Sequence, residues 1–379
     1  MKIPEIVLLR VKNKTIACDL RHFQFIEADV PMNIPIDYRY KTAEIHPRMN
    51  PIVMDILKQK IEAITVNPSS TQVYLNSTTI CRGSCKYCYA DNHPGLPLQF
   101  SDVTSAIHNQ GIPIDQIQTF TMLGGEPIMN LTLINDLLTN TSAKVSIATG
   151  LFISYQLFSG FMSLLEKYTD RLFVSVSMDP DGSLRSGYSQ ENVYDWSLEV
   201  LKHKSRIKST ICSGAINYPR LRSRFEQDLG REIEMDFDLV NKSEYHPTDD
   251  EIQTLQSYLL IDAHEHLLGN RQYVPLYTVD LARALAQTDD PNFIVTTGCG
   301  VLTDAFVINP GGIITRCCEP LDKKITMDDI DHKCSICPIL RYCGVRCYLN
   351  SGKRYMCNVS KLKLFTALYI MAWKDKRWS

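Results

Sequence analysis

Cys81, Cys85 and Cys88 stand in the run Cys81-Arg82-Gly83-Ser84-Cys85-Lys86-Tyr87-Cys88-Tyr89, a C-x3-C-x2-C spacing that puts three thiolates on one short loop. Soft thiolates suit iron-sulfur chemistry, and three of them on a cubane cluster leave the fourth iron open to a substrate or cofactor. A zinc knuckle lacking its fourth ligand is the alternative, since no nearby histidine except His93 is on offer. About forty residues on, Gly124-Gly125-Glu126-Pro127 places two glycines, which let backbone approach a ligand closely, beside a carboxylate able to accept hydrogen bonds from an ammonium group.

Together these two motifs resemble the radical S-adenosylmethionine (radical SAM) superfamily, whose usual motif also carries an aromatic residue where Tyr87 precedes Cys88. The resemblance implies that Cys81, Cys85 and Cys88 hold a 4Fe-4S cluster and that the amine and carboxylate of S-adenosylmethionine take the open iron. One electron then cleaves the sulfonium to methionine and a 5'-deoxyadenosyl radical. It implies that Gly124, Gly125, Glu126 and Pro127 form the motif binding the methionine amine. Further cofactor contacts follow by the same resemblance. Thr149 lies where relatives often carry Thr-Asn-Gly, although Gly150 follows it here, and Ser177 and Asp179 fit a Ser-apolar-Asp strand end. Arg185 is placed for the cofactor carboxylate, a task suited to a guanidinium.

The tail has its own cysteine order: Cys299, Cys317, Cys334-x2-Cys337-x5-Cys343-x3-Cys347 and Cys357, with Cys318 left over. It resembles the SPASM extension, which carries two auxiliary iron-sulfur clusters in enzymes that modify peptides or proteins. The resemblance assigns Cys334, Cys337, Cys343 and Cys357 to an outer cluster, and Cys299, Cys317 and Cys347 to an inner one. Three 4Fe-4S clusters are thus expected in all. Phe293 occupies the place where relatives with a closed inner site often carry another cysteine. The inner iron is therefore expected to be open, or to borrow Cys318, Cys212 or Cys18. A zinc ribbon remains the alternative for the tail, because C-x2-C pairs also serve zinc.

The implied activity is maturation of a ribosomally made precursor peptide by hydrogen abstraction and oxidative completion, such as a crosslink, with a reductant such as flavodoxin or ferredoxin as partner. Anaerobic sulfatase maturation is the rival. Those relatives carry an aspartate directly after the cysteine matching Cys317, whereas here Cys318 follows, and Glu319 comes next as a candidate base beside Asp238 and Asp304. A non-catalytic zinc-bearing or electron-carrying protein is the non-enzyme alternative.

These groups need a frame, and 379 residues with 44% hydrophobic content can bury one. The net charge of -2 provides no global field toward nucleic acid or an anionic membrane. With neither an evident secretory signal nor a membrane-length apolar run, a cytoplasmic site is expected, where thirteen cysteines read as metal ligands. From residue 72 onward, β-branched runs alternate with amphipathic ones, which predicts an α/β partial (β/α)6 barrel. Its strands are expected at 72–76, 117–122, 144–149, 172–178, 209–213 and 232–239, and its clearest helices at 131–138, 155–168, 193–203 and 220–229. Sites of such folds gather at the carboxyl ends of the strands. The expected domains are an N-terminal module over 1–70, which resembles the small winged domain that grips precursor peptides by strand addition, the barrel over 71–245, a helical bridge over 246–295 and the SPASM domain over 296–379. Within them, two strand-like runs flank Lys12-Asn13-Lys14, a helix is expected near 52–64, and Thr248 and Glu251 predict a capped helix to about Leu268. Cys212 reads as a buried apolar residue, Cys18 as redox-silent, and Phe152, Tyr155, Phe158 and Phe161 as a core stripe at helical spacing.

Overall fold

A computed structural model describes residues 6–11, 14–19, 24–28, 40–44, 72–88, 97–180, 185, 190–240, 242–287, 306–315 and 354–374. Two sheets organise it. The smaller contains β1 (Ile6–Val11), β2 (Lys14–Asp19), β3 (Gln24–Ala28) and β4 (Tyr40–Glu44) in the order β3-β2-β1-β4. The expected pair around Asn13 is β1 and β2, antiparallel with Val11 opposite Lys14. The helix expected near 52–64 lies outside the described residues.

The larger sheet is the barrel. Strands β5 (Gln72–Thr78), β6 (Thr119–Gly124), β7 (Lys144–Thr149), β8 (Leu172–Met178), β9 (Ser205–Ile211) and β10 (Met235–Leu239) lie side by side in chain order, every neighbouring pair parallel. Between them run α1 (Phe100–Asn109), α2 (Leu131–Asn140), α3 (Tyr155–Lys167), α4 (Gln190–Leu201) and α5 (Tyr218–Leu229). This is the expected partial barrel, with one helix, α1, that periodicity did not reveal. Its face is narrow, burying only Val103, Ala106 and Ile107. Strand β9 begins four residues before the expected start, because Arg206 and Lys208 break its apolar run.

Alternation explains which side of the sheet packs. Val73 and Leu75, Phe120 and Met122, Val145 and Ile147, and Val174 and Val176 are at most 2% exposed and join one core with Ile107, Leu133, Leu137, Phe161 and Leu165 of the helices. Ile207, Ile211, Met235 and Phe237 pack likewise on Tyr218 and Phe225. The opposite positions, including Tyr74, Asn76, Thr121, Ser146, Ser177, Lys208 and Thr210, stay partly exposed, and Asp238 is exposed. The inner face is thus a polar, accessible wall. On it, Lys208 Nζ lies 2.8 Å from Asp236 and 3.1 Å from Asp238, and Arg206 lies 3.1 Å from Glu234.

After the barrel, α6 (Asp249–Leu267) starts at the predicted capping box: Glu251 N–H donates to Thr248 Oγ1, and Thr248 N–H donates to a Glu251 carboxylate oxygen. Helix α7 (Thr278–Gln287) follows. Strand β11 (Phe306–Asn309) then adds to the barrel sheet parallel to β5, and β12 (Ile313–Thr315) turns back antiparallel. Residues 306–315, assigned by sequence to the tail, are part of the barrel sheet. Helix α8 (Arg354–Lys374), whose residues 358–360 and 362–370 are buried, packs on α6 and α7 and touches β10, β1 and β4. It joins the two sheets. No described helix is long and apolar enough to cross a membrane.

One buried ionic contact locks α5 to α6. Arg222 pairs with both oxygens of Asp262 at 2.6 and 2.7 Å, and Tyr218 donates its hydroxyl to Asp262 at 2.9 Å. Asp262→Ala strands a guanidinium and a phenol away from water, so a loss of about 3–5 kcal/mol is expected. Urea unfolding of the two proteins measures it.

Candidate functional site

The cysteine loop leaves the carboxyl end of β5 and crosses the carboxyl ends of the other barrel strands. At β6, Gly125 N–H donates to the Thr78 carbonyl at 2.7 Å and Glu126 N–H donates to the Ile80 carbonyl at 2.8 Å. The two glycines are what permit this approach. A Cβ on Gly125 would lie 2.5 Å from the Ile80 oxygen, and one on Gly124, whose φ is +118°, would strike the Thr78 oxygen. Their freedom serves a close passage of backbone over backbone, where the sequence alone suggested an approach of backbone to ligand.

At β7, Leu151 adopts a left-handed φ of 59° and donates its N–H to Thr149 Oγ1 at 2.9 Å. That turn swings the Phe152 ring over the loop, so close that a Cβ on Gly83 would meet it at 2.5 Å. Phe152 therefore belongs to the site. Of the stripe expected to be core, Phe158 and Phe161 are buried on α3, whereas Tyr155 is 72% exposed. Phe152 is also buried in the core, as the stripe reading expected, but it stands in the turn before α3, which starts at Tyr155 as expected.

At β8, Tyr87 donates its hydroxyl to the Asp179 carboxylate, 2.6 and 2.7 Å from its two oxygens. At β9 and β10, Tyr87 and Cys85 pack on Cys212, Ala215 and Val240. Cys212 is fully buried in that cluster, as its sequence reading anticipated. Beyond β10, Lys242 donates its ammonium to the Lys86 carbonyl at 2.9 Å. Nothing in the local sequence marked Lys242. Its role follows from the loop spanning the whole mouth.

Glu126 is 1% exposed and accepts from four donors: Thr149 Oγ1 at 2.6 Å, and the backbone N–H groups of Gly150, Ile128 and Phe152 at 3.0, 3.3 and 3.4 Å. Burial raises its carboxyl above the ordinary range, and these four bonds pull the other way. Thr149 thus joins Glu126 directly. Asp179 has a fully buried side chain and faces the Arg185 Nε at 2.9 Å, while Arg185 Nη1 donates to the Ser177 carbonyl at 3.0 Å. Pro127 opens a short 3-10 turn after Glu126 and is buried. All the expected cofactor contacts from β6, β7 and β8 therefore gather beneath the loop.

Desolvation raises the Cys81 thiol and pushes Cys85 up to about 11, and the three cysteines sense one another electrostatically. Three thiols on one short loop are a soft donor set that a bound metal would deprotonate on coordination. That donor set fits an iron-sulfur cluster. No three His, Cys, Asp or Glu side chains among the described residues are already closed into a metal cage. The loop supplies donors that a cluster would draw together. Cys357 lies on α8, partly buried. Its proposed co-ligands Cys334, Cys337 and Cys343 lie outside the described residues, as do Cys299, Cys317, Cys318 and Cys347, and the base candidates Glu319 and Asp304. Asp238 is described, on the inner wall.

No protein-family model matches the chain, and no curated protein matches it. Solved structures do. The chain is similar to anSMEcpe with bound AdoMet and the Kp18Cys peptide, at TM-score 0.56 and 16% identity, covering 78% of this chain and 96% of that one. It is also similar to Streptococcus suis SuiB bound to the precursor peptide SuiA, at TM-score 0.52 and 14% identity, covering 92% and 95%. SuiB bound to S-adenosylmethionine matches at TM-score 0.51, with 91% and 95% covered. The fold is therefore the α/β partial barrel that this chain shares with anSMEcpe and SuiB.

Because Gly125 abuts backbone and not a mobile side chain, Gly125→Ala must displace the loop. Apoprotein carrying it is expected to fold, with the loop cleaved several-fold faster in limited proteolysis. Unchanged cleavage would show that the loop does not rest on Gly125.

Proposed function

We propose that this protein is a radical SAM enzyme that modifies a ribosomally made peptide. The observation carrying the reading is a three-thiol loop laid across six parallel strand ends, directly above Glu126, Thr149, Asp179 and Arg185. When bound, the reduced cluster supplies the electron that cleaves S-adenosylmethionine and so provides the radical. The chain's part is to hold the cluster at the mouth, bind the amino-acid end of the cofactor through Glu126 and its neighbours, and present a target C–H bond. The polar inner wall offers a partly exposed path for that substrate.

Auxiliary clusters, where held, would supply a sink for the second electron of a net two-electron oxidation such as a crosslink. Cys299, Cys317 and Cys347, and Cys334, Cys337, Cys343 and Cys357, are the ligands proposed for two such clusters. Glu319 is proposed as the proton acceptor, and flavodoxin or ferredoxin as the electron source. A reducing compartment, hence the cytoplasm, suits thirteen cysteines used this way.

The precursor-peptide reading is taken first because the likeness to SuiB extends further along the chain, although its TM-score is slightly lower, 0.52 against 0.56. The likeness to anSMEcpe takes in 78% of the chain, whereas the likeness to SuiB takes in 92%. We assign residues 1–70 to gripping the peptide. Strand β3 ends the small sheet on one side, a place where an added strand could pair.

Anaerobically reconstituted protein is expected to hold about 12 irons and to release 5'-deoxyadenosine on reduction with S-adenosylmethionine. Replacing Cys81, Cys85 and Cys88 by alanine should abolish that release. Cys334→Ala and Cys337→Ala should spare it while blocking the change in peptide mass. Zinc in place of iron, with no cofactor cleavage, would overturn the enzyme reading.

A further inference from the structure

Arg185 and Asp179 enter by resemblance as cofactor contacts, yet their geometry ties them first to the cysteine loop. Asp179 is buried and accepts the Tyr87 hydroxyl from within that loop, between Cys85 and Cys88. Arg185, with a side chain only 12% exposed, lies against Asp179 at 2.9 Å. Its Cζ also sits 5.7 Å from the centroid of the Tyr87 ring. The Arg185 Nε is buried and has the Asp179 carboxylate as its counter-charge. The opposite end of the guanidinium reaches β7, with Nη1 3.3 Å from where a Gly150 Cβ would stand.

We propose that Arg185 is a positioning residue for the cluster itself: held by Asp179 and lying over the Tyr87 ring, it offsets the negative charge of the thiolate-bound iron before any cofactor arrives. This rests on the reading of the loop as a cluster site. A guanidinium is charged at any working pH, and its contact with the Tyr87 ring sets that charge against the loop. Burial alone would lower the guanidinium, and the Asp179 charge overrides it and holds Arg185 above its ordinary range. Arg185 therefore stays cationic beside the thiols at every working pH. Net charge and burial are established levers on the potential of an iron-sulfur centre.

The test is redox titration of the reconstituted full-length protein without S-adenosylmethionine, followed by the electron paramagnetic resonance signal of the loop cluster, with iron per chain measured for each variant. The auxiliary ligands are left intact, and the loop signal is identified by its loss in Cys85→Ala. Removing the cation in Arg185→Gln should make the midpoint more negative. Asp179→Asn, which frees the guanidinium of its counter-charge, should move it the opposite way. Arg185→Lys should stay near the wild type, and Tyr87→Phe, which keeps the pair, should change it less than either.

Unchanged midpoints in Arg185→Gln and Asp179→Asn, or shifts of both in one direction, would overturn the proposal. A shift that arises only after S-adenosylmethionine is added would make Arg185 a cofactor contact and nothing more, which also overturns it. If Arg185→Gln retains no iron, the decision passes to Asp179→Asn against Arg185→Lys: a rise in the first with none in the second sustains the proposal, and no rise ends it. A wild-type protein that takes up no iron at the loop would instead refute the function proposed above.

Discussion

Everything at the mouth of this barrel depends on how closely one stretch of backbone can pass another. The loop after β5 lies on the end of β6, with Thr78 and Ile80 carbonyls receiving the Gly125 and Glu126 N–H groups. Side chains at 124 and 125 would wedge the two apart. Once seated there, the loop is short enough to be drawn across the remaining strand ends. Phe152 presses on it from β7, Asp179 holds Tyr87 from β8, and Lys242 holds Lys86 beyond β10. Each grip is modest alone, and their common effect is to fix three sulfurs over one end of a parallel sheet.

The second constraint is charge in a desolvated place. Cys81 and Cys85 resist ionisation as free thiols, and Glu126 is buried. The protein answers with hydrogen bonds at Glu126 and with a guanidinium near the thiols. Buried carboxylates cost several kcal/mol unless bonded. Three of the four donors to Glu126, from Thr149, Gly150 and Phe152, therefore hold the ends of β6 and β7 together whether or not a ligand is present. Asp179 does the same between β8 and the loop. A single group at this mouth can thus be structural and chemically poised at once.

Much of this was legible in residue order, because the strongest signals are local. Strands 144–149 and 172–178 alternate cleanly and were placed to the residue, and Thr248 with Glu251 marked the start of α6. The Cys, Gly-Gly-Glu and Ser-Met-Asp motifs located three strand ends of the site. What stayed hidden is what only tertiary structure decides. Phe152 looked helical by spacing, and its place depends on the unusual φ of Leu151. Lys242 and Lys86 meet across 156 residues. Strand β11 joins β5 from the far end of the chain, and no local pattern in Phe306–Asn309 names that partner.

The misplaced start of β9 carries a physical lesson about the barrel itself. Its Arg206 and Lys208 read as loop residues because a buried strand of a parallel sheet is normally apolar on both faces. Here no described helix covers the second face, whose inward side chains are partly exposed. It meets the groove, and alternate positions remain partly open from Tyr74 through Lys208. Lys208 can be there because Asp236 and Asp238 flank it, and Asp236 is further fixed by the Leu276 N–H at 2.7 Å. Burial would raise the Asp236 carboxyl, and Lys208 overrides it and brings it below its ordinary value. A sheet that spends its outer face on the core and keeps its inner face polar is therefore a surface built to be occupied. The strand that looked least like a strand is the one that shows it.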